Sequence, residues 1–121
     1  MSEHVQWIDY NGMNILFCNY NSLTGEEYTK AIAEQEKQVL DSGKERVFVL
    51  LDVTDSHMSH ESTQRAKDLE ANIKAKGIDQ VMALVVFSGI QRVIGRAIKR
   101  DIHFSKDLDD AKEWLESQKD I

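Results

Sequence analysis

Two stretches of this chain, Val47-Phe48-Val49-Leu50-Leu51 and Val81-Met82-Ala83-Leu84-Val85-Val86-Phe87, are apolar at every position. Side chains of a strand alternate between two faces, so an unbroken apolar run needs cover on both. Each run therefore marks a central strand with helices above and below. The first lies within Arg46 to Asp52. Between the two, Ser59 to Lys76 carries Ala66, Leu69 and Ile73 at helical spacing, and Gly77 supplies the stop.

The flanking segments complete a pattern. Val5, Trp7 and Asp9 alternate before Asn11-Gly12, and Met13, Ile15 and Phe17 alternate after it. Asn-Gly favours the positive φ values of a type I′ hairpin turn. Thr24-Gly25-Glu26-Glu27 fits a capping box, with Leu23 and Tyr28 as its hydrophobic staple. Tyr28, Ile32, Gln35 and Val39 continue one helix face up to Gly43. After the second apolar run, Ser88-Gly89-Ile90-Gln91 offers another capping box and a helix to about Arg100. Ile102 and Phe104 form a short strand, and Asp107 caps a last helix burying Leu108, Ala111 and Leu115. The order β-β-α-β-α-β-α-β-α predicts an α/β fold: a mostly parallel sheet with an N-terminal hairpin, in a single domain, 1–121.

Composition narrows the functions open to such a fold. Fifteen basic and twenty-one acidic residues leave a formal charge of −6, which repels phosphate backbones and argues against nucleic acid. One cysteine, Cys18, excludes a disulfide framework and a cysteine-only metal cluster. Met1-Ser2-Glu3-His4 lacks the basic and apolar regions of a signal peptide, and no apolar run approaches the roughly 20 residues of a membrane helix. A cytoplasmic location is expected. There is no Gly-x-Ser-x-Gly elbow and no glycine-rich nucleotide loop. Asp52, Ser88 and Lys106 follow successive strands as in a phosphorylated receiver, but Asn19-Tyr20-Asn21-Ser22 lacks the acidic pair that would hold magnesium. No cofactor, no metal and no catalytic residue is expected.

The C-terminal third is the most specific stretch. Val81 to Phe87 followed by Ser88-Gly89-Ile90-Gln91-Arg92, then His103-Phe104 and Asp109-Asp110-Ala111-Lys112-Glu113-Trp114-Leu115, resembles the STAS domains typified by bacterial anti-sigma-factor antagonists. The likeness is to their SpoIIAA-like, or STAS/SEC14-like, branch. It implies a regulatory, non-enzymatic domain that binds a protein partner, with self-association also open. In signalling members a serine in Asp-Ser-Ser-Gly is phosphorylated; that tetrad falls here on His60-Glu61-Ser62-Thr63, and only Ser62 matches. The SEC14 side of the likeness implies a small apolar ligand or a lipid head group instead.

Two regions hold the candidate residues. The loop after the third strand carries Asp52, Asp55, Ser56 and His57 at the carboxyl end of a central strand, where ligands of open parallel sheets bind. Ser59 and Ser62 open the next helix, where the dipole favours phosphate; Ser59 also reads as an ordinary N-cap. His57 and His60 lie near Asp52, Asp55 and Glu61 without the spacing of a metal motif. In the helix after the fourth strand, Ile90, Val93, Ile94, Ala97 and Ile98 form one apolar face. Arg92, Arg96, Lys99 and Arg100 form the other, a cationic face without an acid. With Ser88, the pair Arg92 and Arg96 is expected to meet an acidic partner or an anionic lipid.

Overall fold

The computed structural model of the chain describes residues 4–86 and 89–119. A hairpin opens it. β1 (Val5–Tyr10) runs antiparallel to β2 (Met13–Asn19) with Tyr10 opposite Met13, so Asn11-Gly12 is a two-residue loop. Both loop residues have positive φ, 52° and 81°, the type I′ geometry whose twist matches the strands. Gly12→Ala is expected to cost about 1–2 kcal/mol, because a Cβ there meets the following carbonyl. Urea denaturation measures it; an unchanged midpoint would mean that the turn relaxes to another type.

The chain continues through α1 (Gly25–Asp41), β3 (Arg46–Asp52), α2 (His60–Ala75), β4 (Asp79–Val85), α3 (Gly89–Ile98), β5 (His103–Ser105) and α4 (Leu108–Ser117). The sheet order is β1-β2-β3-β4-β5, parallel from β2 onward. This is the α/β architecture that the element order predicts. Among the described residues no helix is long and apolar enough to cross a membrane.

Among the described residues, the two apolar runs are covered on both faces. Val47, Val49, Leu51, Met82 and Leu84 join Tyr28 and Ile32 of α1 and Leu69 and Ile73 of α2 in one core layer. Leu50, Ala83 and Val85 meet Ala111 and Leu115 of α4 in the other. α4 is held by its cap, Asp107 Oδ1 accepting from the Asp110 N–H at 2.8 Å, and by Trp114 stacked on His103 at 4.3 Å.

Three local expectations change. β2 reads as alternating, yet Leu16 and Cys18 are as buried as Ile15, because β2 lies one strand in from the edge with the α1 layer over its second face. Thr24 makes no side-chain cap on α1. Its backbone is bridged to His57, and the helix is entered through Gly25 at φ 57°. β5 begins one residue later than read, with Ile102 buried in the core just before it. The capping box at Ser88 lies outside the described residues.

Candidate functional site

The loop after β3 is stitched down rather than loose. Asp52 Oδ1 accepts from the Thr54 N–H at 3.0 Å and from the Thr54 hydroxyl at 2.7 Å. The Asn21 amide donates to Thr54 Oγ1, and the N–H groups of Tyr20, Ser22 and His57 bond to Asp52, Thr54 and Leu23 carbonyls. Ser56 is buried and donates to the Val53 carbonyl at 2.7 Å. Asp52 and Ser56 therefore build the loop. Asp55, the left-handed turn residue, and His57 are exposed, and Ser88 lies outside the described residues. Among the described residues no three of His, Cys, Asp and Glu converge on a point that could hold a metal.

What lies behind this loop is a cavity of about 90 Å³, between the sheet and α1, α2 and α3. Leu51, Met82 and Leu84 form its floor, Leu69 one wall, and Ile94 and Ile98 of α3 its roof. An engineered apolar cavity of roughly 150 Å³ takes benzene, so this one admits a smaller group unless α3 shifts. Tyr20, Tyr28, Gln35, Ser56, Glu70 and Gln91 also line it, but the surface turned to the cavity is almost wholly apolar.

Three of these residues, with Gln80 bonded between two of them, form a polar chain. The Tyr20 hydroxyl donates to Gln35 Oε1 at 2.6 Å, Gln35 Nε2 to Gln80 Oε1 at 3.5 Å, and Gln80 Nε2 to Glu70 Oε2 at 3.0 Å. Lys99 Nζ closes it on Glu70 at 3.4 Å and Asp101 at 3.0 Å. Gln35 and Gln80 are only 3% and 2% exposed; an amide so placed costs several kcal/mol without partners. Burial alone would lower the Lys99 pKa, but the hydrogen bond to Asp101 and the charges of Glu70 and Asp101 outweigh it and hold the pKa above the usual lysine range. The ammonium stays charged. Burial also lifts the Tyr20 hydroxyl, with Cys18 beside it adding to the rise. The Cys18 thiol is fully buried and likewise pushed up, so it remains protonated.

α3 sits over the cavity in an unexpected rotation. Gln91, Ile94, Gly95 and Ile98 face inward, whereas Ile90 and Val93 are 74% and 71% exposed. The inward stripe includes a glutamine and a glycine, which hydropathy does not count as apolar. A Cβ on Gly95 would lie 3.1 Å from Leu84 Cδ2 and 3.2 Å from Phe104 Cε1, so the missing side chain is what lets the helix approach the sheet. Gln91 Nε2 ties its first turn to the loop after β3, donating to the Val53 carbonyl at 2.6 Å and the Ser56 carbonyl at 3.3 Å.

The cationic face is also corrected. Lys99 is committed to Glu70 and Asp101. Arg92 and Arg96 lie over the Phe104 ring at 5.7 and 4.9 Å, with their chains still exposed. At 3.6 residues per turn, Arg96 adjoins Val93 on the outer surface. The helix thus presents cations and apolar side chains side by side.

No protein-family model matches the sequence, and no curated protein matches it. Among solved structures, an uncharacterized protein of the DUF3478 family from Shewanella loihica PV-4, itself described as having a SpoIIAA-like fold, superposes with a TM-score of 0.65. The match covers 92% of this chain and 91% of that one, at 20% identity. The fold is SpoIIAA-like.

In this SpoIIAA-like domain the two candidate phosphorylation residues differ in exposure. Ser59 is exposed and caps α2, its Oγ accepting from the Ser62 N–H at 3.0 Å. Ser62 is 0% exposed, its Oγ accepting from the Ser59 N–H at 2.7 Å. Together they make a reciprocal capping box, so Ser62 serves the helix start and is not presented to a kinase. Tyr20, Gln35 and Glu70, which line the cavity, and Gln80, bonded to two of them, are missing from the sequence-derived candidates. One signal was present: Gln35 is a polar residue within the apolar stripe Tyr28, Ile32 and Val39.

Proposed function

We propose that this domain binds a small, largely apolar ligand in the cavity beneath α3 and meets an anionic membrane surface through the outer side of that helix. The cavity itself carries the reading. A close-packed interior leaves few voids larger than a water molecule, and this one lies at the carboxyl ends of the parallel strands, where such sheets bind ligands. Binding rather than catalysis suits the groups present, since Tyr20 and Gln35 are hydrogen-bonded into the wall and Cys18 is sealed and protonated.

Xenon, smaller than benzene and bound by dry apolar cavities, serves as a probe. Backbone and methyl resonances of Leu84, Ile94 and Ile98 are expected to shift on its addition. The melting temperature should rise as well, since a ligand at 100 times its Kd stabilises the folded state by about 2.7 kcal/mol. Neither change at saturating xenon would sink the reading.

A regulatory protein-interaction role of the anti-sigma-antagonist kind is the second reading. The exposed Ile90 and Val93 favour it, while the burial of Ser62 removes the switch at the one position that matched. A defined acidic protein partner binding wild type but not a Val93→Asp variant, with vesicles indifferent to both, would favour it over the membrane reading.

A further inference from the structure

We infer that β1 is a docking edge for a second copy of this chain, the two strands pairing antiparallel about a two-fold axis at Ile8. The sheet has two open edges, and they differ. β5 is three residues long, whereas β1 runs for six and pairs residue for residue with β2, without a bulge. Natural edges are blunted by short length, proline, a bulge or charged side chains, lysine above all. β1 has one charged residue, Asp9, and no proline. Its backbone phase follows from the turn. A two-residue type I′ loop makes Tyr10 and Met13 a hydrogen-bonded pair, so alternate residues back from Tyr10 bond to β2. The His4 carbonyl, in the same phase, accepts from the Asn19 N–H at 2.7 Å. The N–H and C=O groups of Trp7 and Asp9 therefore point away from the sheet, and among the described residues nothing pairs with them.

Groups so exposed are answered by another strand, and the side chains select this chain's own β1. With Ile8 on the axis, Trp7 of each copy lies opposite Asp9 of the other, and the two exchange backbone bonds. Trp7 packs toward α1, with the Lys44 ammonium over its ring at 5.2 Å. The incoming Asp9 arrives on that same face, so carboxylate meets ammonium on both sides of the axis. Within one copy, Asp9 and Lys44 are exposed and neither has an ion pair among the described residues. On the opposite face Ile8 meets Ile8, beside Tyr10 and Phe17, all of them half-buried in the single chain. An axis at Asp9 would set two carboxylates against each other. An axis at Trp7 would set Asp9 against Val5, which is 0% exposed and offers no cation.

Sedimentation of the whole chain is the first test. Wild type should be mostly monomeric at about 1 μM and mostly dimeric at about 100 μM, as a Kd of about 10 μM requires. Asp9→Lys and Lys44→Asp should each weaken the dimer about tenfold, and the double reversal should restore it to within about threefold. Ile8→Cys, oxidised at the higher concentration, should form a disulfide-linked dimer. Opposed residues of a non-hydrogen-bonded pair lie about 4.5 Å apart at Cα, within disulfide range. Cys18 is fully buried with its thiol protonated, and does not compete. Gln6→Cys, which this register sets opposite Tyr10 of the second copy, should not cross-link. A wild type that stays monomeric at about 100 μM overturns the inference and leaves the edge to a strand of another protein. A dimer that neither single reversal weakens, or that folded Ile8→Cys does not lock, is held by another face and overturns it too.

Discussion

Ser62→Asp is expected to destabilise the domain by about 3 kcal/mol, while Ser59→Asp changes stability by less than about 0.5 kcal/mol. The two serines are three residues apart in one capping box, so the contrast isolates burial. Ser59 is exposed, and aspartate caps a helix about as well as serine. Ser62 is fully buried with its hydroxyl on the Ser59 N–H. An aspartate there keeps an acceptor near that N–H but adds bulk to a filled site, which costs about 1–3 kcal/mol. It also takes a carboxylate out of water. The dipole of the first turn returns only about 0.3–1 kcal/mol, so the penalties win. At this chain length each kcal/mol moves the melting temperature by roughly 3–5 °C, and the Ser62 variant should melt some 10 °C or more below wild type. An unperturbed Ser62→Asp variant would show that the site accommodates charge, and the phosphorylation reading would return.

Ile90→Asp with Val93→Asp should abolish association with anionic vesicles, lowering the partition coefficient at least about 100-fold. An apolar side chain of this size contributes roughly 1.5–3 kcal/mol when moved out of water, and two are lost together. The two new carboxylates take the formal charge from −6 to −8 and are repelled by the lipid surface. Folding should be nearly unaffected, because both side chains are more than two-thirds exposed already. Arg96→Gln should act more gently, by about 1 kcal/mol, and its effect should fade as salt screens the surface. Flotation with anionic and with neutral vesicles at two salt concentrations reads both variants against wild type. Wild type that does not float on anionic vesicles at low salt removes the membrane half of the proposed function and leaves the cavity to be judged by its own ligands.

Much of the scaffold was legible in the residues because the signals were local or periodic. The type I′ turn follows from Asn11-Gly12, and both residues have the positive φ that such a turn needs. Gly43 and Gly77 end α1 and α2 with φ of 70° and 76°, and Asp107 caps α4 as its side chain suggests. The site was less legible. Hydropathy placed Ile90, Val93 and Ala97 inward, since it scores side chains and cannot see that Gly95 lets the backbone itself approach Leu84 and Phe104. Lys99 read as part of a free cationic face because its partners, Glu70 on α2 and Asp101 after α3, converge only in space.

By itself, then, the order of apolar runs, turns and caps determined the sheet, its mostly parallel direction and the helices that cover it. Each of those depends on neighbours within a few residues, or on a period of two or 3.6. Tertiary structure alone decided the features that bear on the proposed function: the rotation of α3, the cavity under it, the burial of Ser62, and the chain from Tyr20 through Gln35, Gln80 and Glu70 to Lys99. These rest on packing between elements distant in sequence. Whether a glutamine is a solvated surface residue or a buried donor is settled by which helix lies across it.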